Sequence, residues 1–195
     1  MTFGVFDNGK WSYNRKFVKP EEVNDGSVEI IWGYKPSISD WHGALDIVPK
    51  RGTERPIRVR CILAGKVVKV TKTSTGYCHV WVESQWRKDN LLFIYQHLHN
   101  KYLPKAGDTI NTGNNVGHLG HLIMQSGTDF SHLHLEVISK KKFNVPENMR
   151  VVCNNKTGLR SQFDYDRLAD VGYSGAHYMY NGVFLIDFIN GLITP

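Results

Sequence analysis

The sequence contains no long uncharged apolar run, and its first residues, Met1 to Asp7, show no basic stretch leading into an apolar one. Membrane spans and export leaders need such segments. The chain is therefore expected to be soluble, with neither a transmembrane segment nor a recognisable signal peptide. Cysteine is scarce: Cys61, Cys78 and Cys153 are odd in number and widely spaced. That excludes a disulfide framework and a Cys-x-x-Cys zinc or redox motif, and free buried thiols are the expectation. No segment repeats, and no run of basic residues exceeds Lys140-Lys141-Lys142. Lys plus Arg outnumber Asp plus Glu by 24 to 18, for a net charge of +6. Those cations are scattered rather than gathered into a nucleic-acid footprint, so no nucleic-acid partner is expected. By itself the surplus favours polyanionic partners, such as nucleic acid, anionic lipid or the teichoic acids of a bacterial wall, without choosing among them. Helical periodicity is almost missing between residues 31 and 145.

What is present is a chain long enough to bury a core. Its 195 residues are 41% hydrophobic and 12% aromatic, which fits one globular domain with extensions. From Arg58 apolar and polar residues alternate. Val59, Cys61 and Leu63 read as a strand, Ala64-Gly65 as a turn and Val67 to Val70 as the returning strand of a hairpin. Tyr77 to Glu83, Leu91 to His97 and His132 to Ile138 are further strands, rich in β-branched and aromatic residues, and glycines at 107, 113, 117 and 120 mark turns. The pattern predicts an all-β fold, a two-sheet antiparallel sandwich or barrel-like core. We divide the chain into an N-terminal arm (1–30), the core domain (31–145) and a C-terminal extension (146–195). In the extension, Phe163 to Val171 suits a short helix, and the apolar Val183 to Ile189 segment is expected to dock on the core.

The chemistry is concentrated in histidine. In His42-Gly43-Ala44-Leu45-Asp46 an imidazole and a carboxylate stand four apart, an even spacing that puts both on one face of an extended strand. In His132-Leu133-His134-Leu135-Glu136 three polar groups share one strand face and two leucines take the other. With nine histidines, chance alone gives about 0.4 His-x-His triplets. The chain has two, the second being His97-Leu98-His99, so the triplet alone does not identify a site. The donor types say more. Two imidazoles and one carboxylate suit zinc with one position left for water, the layout of a catalytic site. Bound zinc brings the pKa of water to about 7, so hydrolysis then needs only proton-transfer groups nearby. Glu136, on the ligand face, reads equally as a carboxylate that orients an imidazole and as a solvent-exposed strand residue.

The segment from Trp32 to Val137 resembles the lysostaphin-like zinc metallopeptidases, which cut peptidoglycan cross-links. The resemblance is carried by His42 to Asp46, by Tyr95-Gln96-His97-Leu98, by the Gly107-Asp108-Thr109-Ile110 stretch running to Gly113 and Val116-Gly117, and by His132-Leu133-His134-Leu135-Glu136. The four motifs stand in the family's order over roughly half the chain. The resemblance implies zinc held by His42, Asp46 and His134. It also implies His97 and His132 as the pair that activates water and steadies the oxyanion, with Tyr95 selecting His97 over His99, and Tyr34 as a further group at the oxyanion. Two departures stand out: Ala44 occupies the second position after the first ligand, where the family has glycine, and residues 120–131 replace the family's glycine-rich loop. His118 and His121 in that region are expected at the surface.

The implied function is a zinc-dependent endopeptidase acting on peptidoglycan peptides. A bacteriophage origin is expected, as a tail component among other tail proteins or as a lysin held in the host cytoplasm before release. The alternatives are a catalytically inactive homologue with a structural or activating role, and a cupin-like metal oxygenase. The second is disfavoured because Glu136 follows His134 by only two residues and the sole later histidine is His177.

Overall fold

A computed structural model describes residues 11–13, 45–49, 55–86, 89–129, 131–139, 150–153, 170–172 and 177–180. Among the described residues the regular structure is all strand: β1 (Trp11–Tyr13), β2 (Leu45–Pro49), β3 (Arg58–Arg60), β4 (Gly65–Lys72), β5 (Cys78–Trp86), β6 (Asp89–Leu98), β7 (Thr109–Ile110), β8 (Asn115–His118), β9 (Leu133–Ser139), β10 (Arg150–Cys153) and β11 (His177–Tyr180). Nine of them form one sheet with the path β1-β2-β9-β6-β5-β4-β7, and β10 and β11 join it through β11 on β9. The other two, β3 and β8, form a small second sheet. Every pairing is antiparallel. The expected two-sheet antiparallel architecture is the one observed. No helix among the described residues is long and apolar enough to cross a membrane.

Period-two alternation explains which face each strand buries. Leu133, Leu135 and Val137 of β9, Leu91, Phe93 and Tyr95 of β6, and Val80 and Val82 of β5 enter the main core with Val59 of β3 and Val116 of β8. Burying each of these large aliphatic and aromatic side chains contributes about 1.5–3 kcal/mol. The intervening residues face the other way. There Trp81, Leu92, Ile94 and Ile138 form a second cluster against which Val68 and Val171 pack, and Lys69 forms an ion pair with Asp170 at 2.6 Å. This outer face is thus apolar at one end and polar at the other, where Gln96, His134 and Glu136 meet.

The hairpin expected over residues 58–70 does not form. β3 pairs with β8, while β4 pairs with β5 and β7. Residues 61–64 instead carry the chain from the small sheet to the large one. Asn114 accepts the Cys61 N–H, Cys61 accepts the Gly113 N–H, and the Thr112 hydroxyl accepts the Ala64 N–H. These bonds satisfy the crossing backbone from a neighbouring loop, so no hairpin ladder is needed. Where the sequence showed only glycine turns, Asn115 to His118 form β8. The proposed helix over 163–171 lies outside the described residues as far as 169, with a turn at 170–172. The Val183 to Ile189 segment lies outside them altogether.

Candidate metal centre and active site

The site is built from the outer face of β9 and the ends of its neighbours. Because Leu133 and Leu135 are drawn into the core, His134 and Glu136 take the opposite face. Across the β6 pair the residue opposite His134 is Gln96, and across the β2 pair it is Asp46. Directly opposed positions on adjacent strands belong to one face. Asp46, His134 and Gln96 therefore form a row across three strands.

His97 reaches this row through a break in the ladder. Val80 pairs with Tyr95 and Cys78 with Leu98, so one residue, His79, faces two, Gln96 and His97. This is a β-bulge, which adds a residue and re-aims a side chain. His97 has φ +60°, a left-handed conformation that a non-glycine residue adopts at about 1–2 kcal/mol. Both flanks hold it there. Tyr95 and Leu98 are fully buried in the core, and the His97 carbonyl accepts the Gly120 N–H at 2.8 Å. A Cβ on Gly120 would stand 2.6 Å from that carbonyl oxygen and from the Tyr77 ring. Only glycine therefore allows this close approach.

The result is a cluster of imidazoles. One ligand atom each from His97, His132 and His134 lies within 4.8 Å of the others. The His97 ring centroid is 4.8 Å from that of His132 and 5.8 Å from that of His134. His132 is buried, and the other two are half-buried. Tyr77 and His79 approach His97 edge-on, each with centroids 6.3 Å away. The donors gathered here are imidazole nitrogens, a type that suits zinc, and the backbone of Asp46 stands in register with that of His134.

The polar network extends beyond the rings. Gln96 Nε2 donates to Glu136 Oε1, and the same oxygen lies 3.3 Å from His134 Nε2. Glu136 is only 7% exposed, which rules out the reading of it as a solvent-exposed strand residue. Three further histidines have other neighbours. His99 is exposed and its Nδ1 accepts the Lys101 N–H. His118 packs on Tyr102 with centroids 5.2 Å apart. His121 faces Asp129 at 3.7 Å and is half exposed.

Burial acts on two ionisable groups of the core. Burial pushes the Cys61 thiol up to about 11, opposed by hydrogen bonds with Tyr95 and the Leu63 carbonyl. Burial also pushes the Tyr95 phenol well above its ordinary value. Its oxygen accepts the Ile62 N–H at 2.9 Å, so Tyr95 anchors β6 beside His97 from inside the core. Between β8 and β9, partial burial raises the Asp129 carboxyl, but hydrogen bonds from Ser131 and the Arg55 guanidinium bring it down to about 2.

Of the residues singled out in the sequence, His97, His132 and His134 converge, and Asp46 stands in register beside them. His42 and Tyr34 lie outside the described residues. Sequence reasoning missed Gln96, Tyr77 and His79. The available signal was the spacing Tyr95-x-x-Leu98, in which two core residues stand three apart rather than two and so mark a bulge.

Comparison with known proteins identifies the family. The model of Peptidase family M23 matches residues 40–146, more than half of the chain. A solved structure described as "Identification and structural characterization of LytU" is 24% identical over 57% of this chain and 71% of that one, with a TM-score of 0.40. No curated protein matches. With the matched segment spanning every residue of the histidine cluster and Asp46, the chain belongs to peptidase family M23, the lysostaphin-like metallopeptidases.

Proposed function

We propose that this protein is a zinc-dependent endopeptidase that hydrolyses peptide bonds in the cross-links of bacterial peptidoglycan. The observation that carries the proposal is the convergence of His97, His132 and His134 with Asp46 in register beside His134, in a chain of this family. His42, Asp46 and His134 are assigned to hold the metal, which when bound polarises a carbonyl and acidifies water. His97 and His132 are assigned the proton work. One imidazole takes a proton from the attacking water while the other donates a hydrogen bond to the carbonyl oxygen as its negative charge grows. The captured proton then passes to the leaving amine. Tyr34 is assigned a further hydrogen bond to the same oxygen. Small, Gly- or Ala-rich cross-bridges are the proposed substrate, and the net charge of +6 favours approach to a polyanionic wall.

The test is release of new amino groups from purified peptidoglycans of several wall types, with His134→Ala in parallel and the new termini identified by mass spectrometry. Release by the wild type that vanishes in the variant supports the peptidase and names its bond. No release from any wall by folded, zinc-loaded protein overturns it in favour of a structural or activating role.

A further inference from the structure

Glu136 is a carboxylate in an unexpected place. It is 7% exposed, its strand neighbour two residues on is the fully buried Ile138, and opposite it on β6 is the buried Ile94. It therefore stands where the outer face changes from the apolar cluster to the histidine site. A carboxylate taken out of water needs hydrogen-bond partners there. Two of its partners lie in the site: Gln96 Nε2 donates to Oε1, and His134 Nε2 lies 3.3 Å from that same oxygen. Gln96 is directly opposite His134 on the neighbouring strand, so sheet register fixes the amide, the amide fixes the carboxylate, and the carboxylate fixes the ring.

From this geometry we infer that Gln96 and Glu136 form a positioning relay for His134. Glu136 accepts the proton on Nε2, which selects one tautomer and makes Nδ1 the basic nitrogen, the one that can donate to a cation. Gln96 holds the carboxylate oxygen in place while it does so. A ligating imidazole whose second nitrogen is held by a carboxylate is a better-oriented and more basic donor, and loss of such a partner typically weakens metal binding about 10–100-fold. The inference rests on the assignment of His134 as a metal holder, and the experiment below separates the two.

Zinc affinity is measured by chelator competition on the full chain for wild type, Glu136→Ala, Glu136→Gln, Gln96→Leu, the Gln96→Leu/Glu136→Ala double variant and His134→Ala. Metal-free melting and the imidazole nitrogen chemical shifts of His134 are recorded alongside. The relay predicts an Nε2-protonated His134 in metal-free wild type, and a mixture of tautomers with about 10–100-fold weaker zinc binding in Glu136→Ala. Glu136→Gln, which keeps an acceptor without the charge, falls between. Gln96→Leu weakens binding less, and adding it to Glu136→Ala brings no further loss, because the two act as one unit. A carboxylate that only holds strands together lowers the melting temperature but leaves zinc affinity and nitrogen shifts unchanged; that result overturns the relay alone. Should Glu136→Ala fail to fold, Glu136→Gln decides by the same two readouts, and wild-type values in it overturn the relay. Wild type that binds no zinc, like His134→Ala, overturns the metal assignment and the relay with it.

Discussion

The imidazoles of His97 and His132 lie with ring centroids 4.8 Å apart and their planes crossing at 71°. His132 is the residue immediately before the regular strand β9, whereas His97 is delivered by a bulge with φ +60°. Half of the pair therefore depends on a conformation the backbone adopts at some expense in stability, a pattern common at functional sites.

That expense is measurable. At φ +60° glycine is unstrained, whereas alanine keeps the Cβ clash. His97→Gly is expected to be more stable than His97→Ala by about 1 kcal/mol, with both variants inactive on peptidoglycan. Urea unfolding midpoints check the first statement. Equal midpoints contradict the strain at His97.

Gly120→Ala is expected to disturb the site without touching an imidazole. Its Cβ meets the His97 carbonyl oxygen and the Tyr77 ring at 2.6 Å, so one of them must move. Overpacking of this kind destabilises by about 1–3 kcal/mol, and a small misplacement of His97 lowers turnover by about 100-fold. Hydrolysis rate and melting temperature together check this, and wild-type turnover in a folded Gly120→Ala protein contradicts it.

The histidines should divide into two classes on zinc titration. His134→Ala is expected to lose tight binding, whereas His97→Ala and His132→Ala keep zinc within a few-fold of wild type and lose hydrolysis, as proton-transfer groups should. If all three variants lose zinc equally, the cluster itself is the ligand set and the assignment of the proton-transfer pair falls.

Asp129 makes stability acid-sensitive. Its folded pKa, about 2, lies below the ordinary 3.8. The ionised form is therefore favoured by folding, and its contribution is complete above about pH 4 and lost as pH falls toward 2. Asp129 is half exposed, so solvent screening holds the effect below about 1 kcal/mol. Thermal unfolding from pH 2 to 6 of wild type and Asp129→Asn should show the curves converging at the acid end. Parallel curves contradict the Arg55 and Ser131 pairing.

Much of this was legible because β-strands write their geometry with period two. His132 to Glu136 announces both its buried leucines and its outward polar row, and the strands at Tyr77 to Glu83 and Leu91 to His97 are recognisable by residue type. Strand partnership was not legible. Alternation at Val59, Cys61 and Leu63 looks the same whether the next strand is a hairpin partner or belongs to the other sheet. The structure gives β3 to β8, which is hidden among glycines because a strand of four residues carries too little pattern. The meeting of His97 with His132 and His134 depends on a bulge that alternation does not express, and the role of Gln96 depends on register between β6 and β9. The ligand and proton-transfer roles came from resemblance; the network around Glu136 came from the structure.

The most direct test is metal add-back coupled to hydrolysis. The protein is stripped with a chelator, zinc is returned in fractions of an equivalent, and amine release from peptidoglycan is followed at each step. A zinc peptidase with His134 as ligand shows no release from stripped protein, a rise that saturates at one zinc per chain, and a flat line for His134→Ala. Release that survives complete stripping, or that is unaffected by His134→Ala, contradicts that assignment.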